Sequence, residues 1–314
     1  MRSRWLEELL RNLPKDRLHS NKKLISITQP VHAEIPYTLR FEDGSTHEAD
    51  AVVGSDGIRS KIRGMMLGSD SQALFGGYWD ARGKLTPQRA AEQFGTELFN
   101  PLEPSEVALI GEGASMLFVP NTTGEVYNVI VAGAAGPNFD KTSWKTKLSK
   151  EYLEEAYKGW DEKFRTAVIE VIMAADSGPG VVFSQYESPK VPSYYSKRLC
   201  IIGDSAHATV PWLGQGACMA TEDASVLAAL LGLVESIGEL EAALKAFDQT
   251  RRGRPEHVMR QSQEAAKVLT GQLGLDPSKI AQLEAFKWWE EIWAFDMDAH
   301  IHEAIERFNR YKVS

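Results

Sequence analysis

Arg198–Leu231, RLCIIGDSAHATVPWLGQGACMATEDASVLAALL, is the segment from which the rest of the chain can be read. Leu199-Cys200-Ile201-Ile202 is a compact apolar run ending on Gly203, the pattern of a strand buried on both faces. Asp204 follows at its carboxyl end, the side of an open α/β sheet where ligands bind. Gly214 and Gly216 then let the backbone approach a ligand closely. A helix of small and apolar residues over 217–234 follows, with free N–H groups and the positive end of its dipole at its start. Such an end favours a phosphate or a delocalised anion such as a reduced flavin. Asp204 can accept hydrogen bonds from sugar or ribityl hydroxyls. For a lone Gly-x-Gly loop, a tight turn capped by the Asp is the better reading. The complete string of strand, Gly-Asp, His, Pro, Gly-x-Gly and small-residue helix favours a ligand.

A second unit of the same kind is Ala49–Arg63, ADAVVGSDGIRSKIR. A short buried strand ends at Gly54, Asp56-Gly57 follows, and a basic helical stretch over 58–66 comes next. Asp56 can hold a ribose or orient a cation, and Arg59, Lys61 and Arg63 can meet a pyrophosphate. A solvated basic helix face is the alternative. Strands are expected over 23–29 and 35–41, with Glu42-Asp43-Gly44-Ser45 as a turn. Residues 76–83, 107–110, 115–120 and 127–132 read as strands of a second, largely antiparallel sheet. Residues 143–175 read as helical, with Trp144, Leu148, Tyr152, Leu153 and Tyr157 on one face. Everything beyond about 239 is helical in pattern. The implied architecture is an α/β domain interrupted by an α+β insertion.

Composition sets the outer limits. The chain has 314 residues, 43 acidic against 35 basic, and a formal net charge of −8. That balance argues against a dedicated nucleic-acid binder. Two cysteines, Cys200 and Cys218, make no disulfide framework and no CxxC metal site, and suit a reducing compartment. No apolar run approaches the roughly 20 residues of a membrane span. The opening MRSRWLEELLRNLP reads as an amphipathic helix stopped by Pro14; Glu7 and Glu8 speak against a transit peptide, so a cytoplasmic location is expected. His300 and Asp296 are neighbours at helical spacing, better read as a polar face than as metal ligands, so no metal is expected. Trp288, Trp289 and Trp293 are expected to pack a core or a partner helix.

Ser55-Asp56-Gly57, and Gly203-Asp204-Ser205-Ala206-His207 through Gly216, together resemble two of the three fingerprints of the single-component FAD-dependent aromatic hydroxylases. Gly77-Tyr78 before Arg82-Gly83, the segment Arg251-Arg252-Gly253-Arg254-Pro255 and the tail Trp288–Trp293 resemble the salicylate-hydroxylase-like branch. The first fingerprint, Gly-x-Gly-x-x-Gly, does not occur in this sequence, so the chain looks like a member lacking its first βαβ unit. The resemblance implies an FAD-binding parallel-sheet domain in two parts, 1–68 and 181–235. A mainly antiparallel α+β substrate domain over 69–180 and C-terminal helices over 236–314 complete it.

The resemblance also implies site residues. Arg2, Asp56, Asp204, Pro211, Gly216, Ala217 and Cys218 would bind the cofactor: Asp204 the ribityl chain, the 216–218 helix start the pyrimidine edge, Pro211 a position beside the reactive face. Arg82 would be the catalytic residue, meeting a phenolate or carboxylate by charge-assisted hydrogen bonds; an exposed strand arginine is its alternative. Val119 stands where some members carry a tyrosine before the strand-end proline. His207 is read as a supporting or capping residue, and Cys218 as a small buried filler if it does not touch the flavin. The implied reaction is NAD(P)H- and FAD-dependent hydroxylation of a small aromatic, salicylate-like or polyketide-derived, as in secondary metabolism. The alternative is a non-hydroxylating remnant that serves as a binding protein or as a flavin-free cyclase or isomerase. An exposed sheet edge makes a poorly soluble or homodimeric chain the expectation.

Overall fold

The computed structural model describes residues 2–29, 32, 35–97, 99–103, 105–276 and 287–312. Helix α1 (Arg2–Leu10) is followed by an antiparallel three-stranded sheet, β1 (Leu24–Thr28), β2 (Tyr37–Phe41) and β3 (Thr46–Ala49). Gly44, at φ +82°, makes the β2–β3 turn that the Glu-Asp-Gly-Ser string calls for. Strand β4 (Val52–Gly54) leads into α2 (Lys61–Leu67).

The insertion then begins with β5 (Leu74–Leu85), α3 (Pro87–Phe94), β6 (Val107–Gly111), β7 (Ala114–Pro120) and β8 (Tyr127–Ala134). It continues through β9 (Lys145–Lys147), α4 (Lys150–Ala156), α5 (Glu162–Met173) and β10 (Val181–Glu187). Its six strands run in the order β6-β7-β8-β5-β10-β9, every pairing antiparallel. Trp79, Phe94, Phe118, Val168 and Ile172 share one buried cluster between this sheet and its helices. A Cβ on Gly133 of β8 would stand 2.5 Å from Trp79 Cζ2, so the buried indole requires glycine on the neighbouring strand.

The chain returns through β11 (Tyr195–Ser196) and β12 (Leu199–Ile201), then α6 (Asp204–His207) and α7 (Gly216–Leu231). It ends in α8 (Leu240–Arg251), α9 (Gly253–Leu269), α10 (Lys287–Trp293) and α11 (Met297–Tyr311). Strand β12 pairs in parallel with β4 and antiparallel with β11. This α/β half has its own core, where Val52, Ile62, Cys200, Ile201, Leu227, Phe247 and Phe308 meet. The two strand–loop–helix units, far apart in sequence, therefore lie side by side.

Two expectations need correction. Residues 143–175 are not continuously helical: Lys145–Lys147 pairs with Val181–Phe183 of β10, and helix begins only after Ser149, whose side chain caps α4 by accepting from Tyr152 N. The free edge of β10 offers a full set of backbone partners, and that outweighs the local periodicity. At the C-terminus Trp293 is 70% exposed, and Ile292 instead packs with Leu213, Met219 and Val258. The side chains of Trp288 and Trp289 lie outside the described residues. No described helix is long and apolar enough to cross a membrane.

Candidate functional site

The Gly203–His207 turn is built from the backbone outward. Gly203 has φ +57° and ψ −142°, a combination that only glycine holds without strain. Its N–H donates to Asp223 Oδ2 at 2.9 Å. Asp223, on α7, is fully buried, and so is the rest of its shell. His207 Nε2 lies 2.5 Å from Oδ2, and Arg251 Nε donates to Oδ1 at 2.9 Å. Burial alone pushes the Asp223 carboxyl up, but the bonds and charges of His207, Arg251 and the Gly203 amide outweigh it and hold it below the usual range. Arg251 and Arg254 both grip Glu222, each at 2.8 Å, and Arg254 stacks 3.6 Å from the Phe295 ring centroid. The Arg-Arg-Gly-Arg string is thus a clamp on α7. His207 is 1% exposed and its Nε2 is committed to Asp223. Asp296 caps α11 by accepting from Ala299 N, and His300 Nε2 faces Arg251 Nη1 at 3.2 Å. No metal-ligating cluster occurs among the described residues.

In the basic stretch Arg59 and Lys61 are exposed, as a solvated face requires, whereas Arg63 is not. Arg63 is 1% exposed and donates to the carbonyls of Ser71 (2.7 Å), Ser205 (2.8 Å) and Ile58 (2.5 Å). Arg59 lies over the Trp144 ring at 5.4 Å, and Lys61 Nζ donates to Leu24 O at 3.1 Å. Asp56 accepts from Ser60 Oγ (2.5 Å), Lys61 N (2.8 Å), Ile62 N (3.3 Å) and Ser205 Oγ (3.1 Å). Its carboxylate thereby ties the start of α2 to the Asp204 turn. Burial raises its pKa, but these four donors outweigh burial and lower it overall.

The outer face of the same turn is open. Asp204, Pro211, Gly214, Ala217 and Cys218 are exposed and Gly216 is half-buried. Cys218 is therefore not a buried filler. Among the described residues no side chain caps α7, and Met219 N to Gln215 O is its first amide bond, which leaves the amides of Gly216, Ala217 and Cys218 without helical acceptors. Arg2 lies in α1, with its side chain outside the described residues.

Asp204 and Pro211 border a cavity of 710 Å³ whose far wall is the insertion. Trp144 and Tyr186 stack there with ring centroids 5.6 Å apart, and Arg82 enters from β5. A second cavity of 130 Å³ opens behind it, walled by Met116, Leu117, Ile130, Ala132, Trp212 and Leu269. About 150 Å³ of apolar space accepts one benzene ring. Asp80, Arg82, Gln185 and Pro211 line both cavities. Val119, two residues beyond Leu117, does not line either one. Asp80 and Gln185 were not singled out in the sequence; only the two-residue spacing of Asp80 and Arg82, which puts both on one face of β5, points to Asp80.

Residues 141–262 match the family model described as an FAD binding domain. The chain is 30% identical over 317 residues to the 6-methylsalicylate 1-monooxygenase atA of Aspergillus terreus, covering 100% of this chain and 67% of that protein. It is 31% identical over 326 residues to the FAD-dependent monooxygenase pigN of Monascus ruber, covering 98% and 72%. Among solved structures, a salicylate hydroxylase substrate complex superposes with a TM-score of 0.83 at 24% identity, over 96% of this chain and 75% of that one.

Proposed function

Because the chain belongs to the FAD-dependent monooxygenases, we propose that it hydroxylates a small aromatic or phenolic substrate, salicylate-like or polyketide-derived, with FAD as cofactor and NAD(P)H and O2 as co-substrates. One observation carries this reading: the exposed Asp204 and Pro211 border the larger cavity, and that cavity shares Asp80, Arg82, Gln185 and Pro211 with the ring-sized apolar one, so a flavin against Asp204 and Pro211 and a ring in the apolar cavity would be neighbours. The residues present fit the flavin end of FAD. The exposed Asp204 carboxylate at the end of β12 and three amides without helical acceptors at the start of α7 are groups suited to a polyol chain and an anionic ring edge. When bound, FAD supplies the oxygen-transfer chemistry.

The chain's own residues bind, orient and enclose. Asp204 would accept the ribityl hydroxyls, and the amides of Gly216, Ala217 and Cys218 would hold the pyrimidine edge. Asp56 acts from behind, holding the turn through Ser205. Arg82, with its side chain 64% exposed within the larger cavity, offers its guanidinium to a substrate carboxylate or phenolate. The apolar walls exclude water from the ring.

A flavin titration of the full chain, read by quenching of flavin fluorescence, tests the rim. Saturable binding is expected. Asp204→Ala should weaken it about 10- to 100-fold, the value of hydrogen bonds to a charged group at about 1.5–3 kcal/mol. Equal affinity in wild type and Asp204→Ala would remove the rim from the reading. The same proposal includes a homodimer. Trp5, Leu6 and Leu9 are each 53% exposed on α1, and β4 is an edge strand. Light scattering should give about twice the 34.9 kDa chain mass at micromolar concentration, and a monomer mass would refute this part.

A further inference from the structure

Asp80 is a buried carboxylate in the wall of the site with no task so far. It is 6% exposed and lies where the two cavities meet. Arg82, two residues along β5 on the same face, donates Nε to Asp80 Oδ1 at 3.2 Å. Among the described residues the Arg82 Nη groups carry no hydrogen bond, so the fork is free for a ligand. Among the described residues Asp80 Oδ2 has one hydrogen-bond partner, Gln185 Nε2 at 3.4 Å. Gln185 is itself fixed, because its Oε1 accepts from Trp212 Nε1 at 2.9 Å. The site therefore offers a donor fork and, beside it, an acceptor oxygen with spare capacity.

Resting on the aromatic-substrate reading above, we propose that Asp80 is a catalytic residue that takes the proton of a bound phenol while Arg82 holds the phenolate formed. The step balances without redox change. The phenol O–H bond breaks, an O–H bond forms on Asp80, and the negative charge passes from carboxylate to phenolate. Arg82 has an anionic partner before and after, so no net charge is created beside the buried Asp80. Burial raises the carboxyl of Asp80, against the charge and hydrogen bonds of Arg82 and Gln185, and brings its proton affinity closer to that of a phenol. The other charged or titratable groups facing this space are Asp176, Lys145 on β9, Tyr186 on β10 and Asp204 on α6. An electron-rich phenolate is the form of the ring best suited to hydroxylation.

The test uses the full chain with excess FAD and 4-nitrophenol as probe, below the pH at which the free phenol ionises. Calorimetry in two buffers of different ionisation enthalpy counts the protons released on binding, and the phenolate absorbance reports the bound form. Wild type should bind phenolate and release almost no proton, since Asp80 keeps it. Asp80→Asn should release about one proton per phenolate bound, with affinity falling about tenfold per pH unit of acidification. Asp80→Glu, which keeps the carboxylate, should restore the low count. An equal proton count in folded wild type and Asp80→Asn would overturn the role of Asp80 and leave the aromatic site standing. Absence of nitrophenol binding by wild type would overturn the site reading and this role with it.

Discussion

Replacing Arg251 with methionine is expected to destabilise the α/β half by about 3–5 kcal/mol, the cost of leaving one member of a buried ion pair uncompensated. Arg251 and Asp223 are both fully buried, and Arg251 also holds Glu222, so the variant strips the permanent cation from Asp223 Oδ1 where water cannot reach it, leaving His207 and the Gly203 amide on Oδ2. In thermal unfolding that corresponds to a drop on the order of 10 °C. The pH dependence separates charge from packing. In wild type the Asp223 carboxyl is depressed, so it contributes stability above the unfolded carboxylate range, near 3.9, and loses it as pH falls through the lower folded value. Without Arg251, burial is less opposed and the folded pKa rises. The variant is then penalised at neutral pH and relieved as the carboxyl protonates. Denaturant melts should therefore show the deficit largest at pH 7 and shrinking toward pH 4. A deficit that does not change with pH would assign the loss to the missing arginine stem instead.

Arg63→Met is the second large effect. Arg63 is surrounded by backbone oxygens: three well-placed carbonyls, with Ser188 Oγ at 3.3 Å and Asp204 O at 3.4 Å completing its shell. Its removal leaves buried carbonyls without donors at about 1–3 kcal/mol each, so a loss of at least 3 kcal/mol is expected. The consequence reaches the site, because Ser205 O and Asp204 O belong to the turn that presents the Asp204 side chain. Flavin affinity, measured well below the melting range, should fall at least tenfold. Lysine should not rescue it, since a single ammonium on a flexible stem cannot replace the planar fork. Full flavin affinity in folded Arg63→Met would show that the turn keeps its shape without the arginine.

These two arginines mark where reading the sequence stopped. Both lie in basic strings, Arg-Ser-Lys-Ile-Arg and Arg-Arg-Gly-Arg, that by pattern resemble a solvated helix face or a segment of a known tail. Local spacing cannot distinguish a cation facing water from one inserted among distant carbonyls. Ser205 is 142 positions from Arg63, and Asp223 is 28 from Arg251. The same holds for β9, whose Lys-Thr-Lys sequence becomes a strand only because the edge of β10 is beside it.

What the sequence determined by itself is local and close-range. The apolar run at 199–202 with its Gly-Asp turn, the glycines before α7 and the turn at 42–45 each follow from sterics within a few residues, and the structure has each of them. The two-unit α/β plan with its antiparallel insertion also follows, because alternation and apolar runs reflect which faces are buried. The tertiary structure alone decided how the units meet. It brought β4 beside β12, folded the insertion over the Asp204 rim, and placed Asp80, Arg82 and Gln185 in one wall between two cavities. Gln185 is 105 residues from Asp80, and such a contact is set by the packing of whole sheets rather than by any periodicity along the chain.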